Sequence, residues 1–124
     1  MNITTETRDR YIIVNVNEEK LNSVAAPNLK TILVGAHGDG YSNIIVNMEN
    51  VIFADSSGLS ALLIGNRLCK NISGSFIIAA PQKSIYKLIE ISQLDSILKV
   101  VGSLQEAIDL VIIEEVERDI QGEE

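Results

Sequence analysis

The densest chemistry in this sequence sits in four consecutive residues, Asp55, Ser56, Ser57 and Gly58, within Phe53-Ala-Asp-Ser-Ser-Gly-Leu-Ser-Ala-Leu-Leu63. An acid and two hydroxyls side by side offer a nucleophile, a phosphoryl acceptor or a ligand. They precede an apolar-periodic run that reads as a helix, and they follow Asn43-Ile-Ile-Val-Asn-Met48, which reads as a buried strand. The strand-to-helix junction of an α/β unit is where such folds place their sites. The same four residues also suffice for a helix cap and nothing more. Both readings stand on the residues alone.

Catalysis by a serine needs a base within hydrogen-bond reach. The chain has one histidine, His37, placed in the glycine-rich run Gly35-Ala-His-Gly-Asp-Gly40. That run follows a helical pattern and opens a strand, the reverse of a dinucleotide-binding loop. Neither a G-x-S-x-G elbow nor a G-x-x-x-x-G-K-[ST] phosphate loop is present. Asp55 has no histidine, cysteine or carboxylate close by in sequence, so no metal site is expected there. Cys69, beside Lys70, reads as a small buried apolar group. The expectation is a protein without intrinsic catalysis, cofactor or metal. A response-regulator receiver domain, phosphorylated on Asp55, fits the length and the α/β class. It wants an acid pair after the first strand, where this sequence has Asn15 and Asn17.

The elements that must position this stretch are legible in the apolar spacing. Residues 1–17 read as a hairpin turning at Arg8-Asp9-Arg10, with Ile12, Val14 and Val16 on one face and Asn15 and Asn17 on the other, toward water or a loop. Residues 23–36 carry a helical stripe of Ala25, Leu29, Ile32, Leu33 and Ala36, with Ser23 as N-cap and Pro27 in the first turn. Gly35 to Gly40 ends that helix as a loop. The helix after Asp55 runs to about Asn71, and Phe76 to Ala80 is a further strand. A helix carrying Ile85, Leu88 and Ile89 follows Pro81, and Lys99 to Val101 is a short strand. The last helix starts with a capping box, Ser103-Leu-Gln-Glu106, and buries Leu104, Ala107, Ile108, Val111 and Ile112. The acids after Glu114 read as a solvated face. Ile113, Val116 and Ile120 form a second, rotated stripe open to another element or a partner. The order is that of an α/β domain with a mixed four- to five-stranded sheet and about four helices. One domain spans 1–124, with an acidic helical tail at about 114–124.

Composition narrows the partners. The chain has 124 residues, 46% hydrophobic and 22% charged, with 4% aromatics and a net charge of −7. Clustered Lys and Arg are missing, so neither nucleic acid nor an anionic membrane is an expected partner. The single cysteine precludes an intrachain disulfide. No apolar run approaches the ~20 residues of a membrane helix, and the first residues lack a signal-peptide core, so the cytoplasm is the expected location.

At a helix N-terminus this unit has non-catalytic uses. Asp55 or Ser56 can cap, and Gly58 lets another surface approach the first turn. Ser57 then lies in the exposed first turn, where a phosphoryl group adds about −1.5 to −2 charges. Helix dipole and free N–H groups tolerate that anion; Asp55 and an acidic partner surface do not. Modification would leave the fold intact and change what docks there.

Val51-Ile-Phe-Ala-Asp55-Ser56-Ser57-Gly58-Leu59, after the strand Ile44 to Met48, resembles the signature of the STAS domain, and in particular of the soluble anti-sigma factor antagonists. The likeness in element order extends from Tyr11 to about Ile112. It implies that Ser57 is the phosphoacceptor and that Asn22, Asp55, Ser56, Ser57, Gly58 and Leu59 form the partner-binding site. It implies a partner that is both anti-sigma factor and serine kinase, with a histidine-kinase-like ATPase fold. The unphosphorylated form binds this kinase and frees a sigma factor; a PP2C-type phosphatase resets the switch. A non-phosphorylated STAS scaffold in a transport or signalling complex is the alternative. The family commonly carries Gly-x-Leu-Asp after its second strand. Here the stretch is Glu19-Lys-Leu-Asn22, so an amide stands in place of the acid.

Overall fold

The computed structural model describes residues 2–122. Met1 of the expected hairpin and Glu123 and Glu124 of the expected tail lie outside the described residues. Strands β1 (Ile3–Thr7) and β2 (Ile12–Val16) form the hairpin, pairing antiparallel with Thr5 opposite Val14. A two-residue strand β3 (Lys20–Leu21) leads into helix α1 (Ala26–Gly38). Strand β4 (Asn43–Asn47) is followed by another two-residue strand, β5 (Phe53–Ala54), and helix α2 (Ser56–Asn71). Then come β6 (Ser75–Ala79), α3 (Lys83–Ile91), β7 (Lys99–Val101) and α4 (Leu104–Gly122). The main sheet has five strands in the order β1-β2-β4-β6-β7, parallel except at β1.

Burial on both faces explains the apolar runs. All five residues of β4, and all five of β6, are buried. Ile44 and Val46 face a core shared with Leu29 and Leu33 of α1, Leu62 of α2 and Ile85 and Ile89 of α3. Ile45, Ile13 and Ile77 face the other way, against Ala107 and Val111 of α4. Three helices thus cover one face and α4 covers the other. Strands enclosed on both sides read as continuous hydrophobic runs, which is why the central pair was plain in the sequence.

Local chemistry departs from expectation at several points. Ser23 does not cap α1; Ala25 holds the cap position without a side-chain bond, and Asn22 Oδ1 accepts from Val24 N (3.1 Å) and Ala25 N (3.3 Å) instead. The helix continues through Gly35 to Gly38, and only Gly40, at φ 95°, needs a glycine's backbone freedom. Asn15 is not turned to water: it donates to Glu6 Oε2 at 2.8 Å and accepts from Asn47 Nδ2 at 3.0 Å. The capping box forms as expected at Ser103, and only its return bond is displaced by one residue. Ser103 Oγ accepts from Glu106 N at 3.1 Å, while the Glu106 carboxylate takes Gly102 N–H at 3.3 Å. Ile112, expected in the core, is 49% exposed.

The acids of α4 are not simply solvated either. Asn43 and Ser75, buried at the starts of β4 and β6, need partners, and α4 supplies them. Asn43 Nδ2 donates to Glu115 Oε2 at 2.7 Å, and Ser75 Oγ donates to Glu114 Oε1 at 2.7 Å. Arg118 donates to Asn43 Oδ1 (2.9 Å), Ser75 Oγ (3.0 Å) and Glu115 Oε2 (2.8 Å). Lys99 pairs with Glu114. Burial alone raises the Glu114 carboxyl, but Lys99, Ser75 and Arg118 outweigh it and hold it below its ordinary value. Glu115 is held low chiefly by the Asn43 amide, which with Arg118 and Arg10 outweighs the opposing effect of burial.

Candidate functional site

The site is built where β3 and β5 meet. Their two-residue parallel pairing sets Lys20 beside Phe53 and Leu21 beside Ala54. Asp55 N–H donates to the Leu21 carbonyl at 3.3 Å, so Asn22 and Asp55 leave the small sheet from the same end. Asp55 then takes an extended conformation and caps α2: its Oδ1 accepts from Ser57 N at 2.9 Å and Gly58 N at 3.2 Å. Such a cap is worth about 1 kcal/mol. Two of the N–H groups that open α2 are thereby used, so an anion on Ser57 would feel mainly the helix dipole.

Gly58 is buried, and the surface that approaches it belongs to the chain itself. A Cβ here would fall 2.4 Å from the Leu21 carbonyl oxygen and 2.9 Å from Leu21 Cγ. Leu59, at 9% exposure, joins the core. Both were expected to be partner-binding; Gly58 instead packs under the Leu21 carbonyl and Leu59 packs in the core, so both lie beneath the surface.

Ser56 is exposed and Ser57 half-buried. Ser57 lines a groove of about 290 Å³ between α1 and α2, with Pro27 and Lys30 on one wall and Ser60 and Ile64 on the other. Lys30 is exposed, and among the described residues it forms no ion pair, so one free cation shares the groove with the Ser57 hydroxyl. His37 is in the last turn of α1, about 10 Å beyond Lys30 by helix rise, and is not brought to Ser57. Cys69 is fully buried; loss of solvation pushes its thiol up to about 11, so it is inert as a nucleophile in the folded chain.

Three side chains at this surface escaped sequence reasoning. Val24 is 83% exposed, Phe53 50% and Ile52 48%, each adjoining the segment that carries Asn22 or Asp55. The available signal was the pairing of a large apolar residue with a small one in Phe53-Ala54: in so short a strand one faces out, and Ala54 is the one inside. This end of the molecule thus carries a half-buried serine, an exposed one and exposed apolar groups, together with the charges of Lys20, Lys30 and Asp55.

The sequence pattern of the family described as STAS domain matches residues 2–107. An anti-sigma-B factor antagonist of Staphylococcus aureus is 34% identical over 102 residues, covering 81% of this chain and 92% of that protein. Among solved structures, one described as a candidate anti-sigma factor antagonist from Thermotoga maritima has a TM-score of 0.81 at 22% identity, over 88% of this chain and 93% of that one. The Bacillus cell fate determinant SpoIIAA in its phosphorylated form has a TM-score of 0.69 at 25% identity, over 88% of this chain and 98% of that one.

Proposed function

The chain belongs to the STAS domain family, and we propose that it works as an anti-sigma factor antagonist, a binding module of the cytoplasm that is itself not an enzyme. The observation that carries this reading is the half-buried Ser57 at the second position of a capped helix, lining a groove with Pro27, Lys30 and Ile64. Unmodified, this surface docks on an anti-sigma factor of histidine-kinase-like ATPase fold and releases a sigma factor. The same partner transfers the γ-phosphoryl group of ATP to Ser57: the Oγ–P bond forms, the bond to ADP breaks, and the hydroxyl proton passes to a base of the kinase. A PP2C-type phosphatase hydrolyses the ester.

The arrangement favours a switch for a physical reason. The Asp55 carboxylate is fixed two residues from Ser57 by its own cap bonds, so it cannot swing away from a new anion. Phosphorylation then sets about −1.5 to −2 charges beside the Asp55 carboxylate, more than the single cation Lys30 in the groove offsets. Asn22 spends its side-chain oxygen on the turn into α1, a duty that an aspartate would perform equally, so the amide costs the site one charge and no geometry.

Incubation with ATP and the cognate kinase tests the reading. It should add one phosphate, absent from Ser57→Ala. A protein left unmodified and uncomplexed would overturn it; a stable complex without phosphate would point to a non-phosphorylated STAS scaffold.

A further inference from the structure

The outer face of α4 carries Ile112, Ile113, Val116 and Ile120, exposed at 49%, 54%, 51% and 56%. At 100° per residue these four lie within an arc of about 100°, a continuous stripe about 12 Å long. The opposite side of the same helix is already satisfied, with Ala107 and Val111 in the core and Glu114, Glu115 and Arg118 bonded to the sheet. The helix is therefore locked in rotation, and the stripe cannot turn inward. The family match ends at residue 107, whereas α4 runs to Gly122, so the stripe lies outside the matched region. It is on the sheet face opposite α1, α2 and α3, away from Ser57.

We infer that this stripe is a second docking surface, whose occupant is a basic amphipathic helix of another protein. Charge identifies the occupant. The stripe is bordered by Asp109, Glu117 and Asp119, all exposed. Among the described residues, the cation that another element brings to this border is Arg10, held by Glu115 at 3.2 Å and Asp119 at 3.6 Å. A second copy of the chain would bring these acids against their own kind, on a protein of net charge −7. An apolar stripe flanked by Lys or Arg meets both the isoleucines and the acids. Beside the stripe, a groove of about 180 Å³, lined by Val111, Ile112 and Val116 together with the paired Arg10, Glu115 and Asp119, has room for one bulky apolar side chain of that helix.

The test uses the full chain and a fluorescent 18-residue synthetic peptide with leucines at helical spacing and lysines on the flanks. A matched peptide carries glutamates in place of the lysines. Anisotropy should show saturable binding of the lysine peptide, weakened by salt. The Val116→Glu/Ile120→Glu double variant should bind at least about tenfold more weakly although it adds two attracting charges, because the apolar contact is lost. Ser57→Glu should bind unchanged, which separates this surface from the switch. Equal binding of the glutamate peptide, equal binding by the double variant, or no saturation would overturn the proposal. So would a dimer in sedimentation that the double variant abolishes, since the occupant would then be a second copy.

Discussion

On the proposed reading Ser57 is a phosphoacceptor by position rather than by activation. Among the described residues no histidine is brought to it, and the bonds of Asp55 and the close approach of Gly58 to Leu21 hold α2 at a fixed height against β3. Gly58 is the tightest of these. Gly58→Ala would press a methyl group into the Leu21 carbonyl, and an overpacking cost of about 1–3 kcal/mol is expected in denaturant unfolding. Unchanged stability would mean that β3 yields easily and does not set the site. Asp55→Ala removes one acceptor from two N–H groups and should cost about 1 kcal/mol, with Asp55→Asn recovering most of it. At position 22 the outcome depends on the atom. Asn22→Asp keeps the oxygen that holds the turn and should leave stability within about 0.5 kcal/mol, whereas Asn22→Ala loses it and should fall by about 1 kcal/mol. Thermal or denaturant midpoints of the two variants read this directly.

Among the elements, α4 makes the clearest pH prediction. Glu114 and Glu115 have folded values below their ordinary ones, so the unfolded chain takes up their protons first as the pH falls. Their contribution is complete above the unfolded carboxylate value of about 4.3 and is lost as pH drops through it toward the lower folded values. Unfolding midpoints measured between pH 7 and pH 3 should therefore fall for the wild type below about pH 4.5, and fall less steeply for Glu115→Gln. Parallel curves for the two proteins would show that the network does not couple α4 to the sheet. Stability here is also a matter of fit: Asn43 and Ser75 are buried, and removing Arg118 leaves both with fewer partners.

For the molecule as a whole, the sequence was most informative where burial is two-sided or periodic. The central strands, the span of α2 and the order of elements follow from β-branched runs and helical spacing, and the main five-stranded sheet matches the mixed sheet expected. The small sheet of β3 and β5 was hidden because two residues carry no period, yet it brings Asn22 to Asp55 and makes Gly58 obligatory. The acids of α4 misled for a related reason. Glu114 and Glu115 look like solvent residues until Asn43 and Ser75, distant in sequence, are seen to need them. At the candidate site the Asp55 cap and the close approach at Gly58 were legible, but the exposure of Val24, Ile52 and Phe53 was not, since only tertiary structure shows which apolar groups remain outside. The central claim is that charge on Ser57 decides whether this surface docks. Its most direct measurement is calorimetric titration of the cognate anti-sigma kinase with unmodified and Ser57-phosphorylated protein. Like-charge juxtaposition costs several kcal/mol, so affinity should fall by about a hundredfold or more on phosphorylation with no loss of fold. Equal affinity of the two forms would contradict the account.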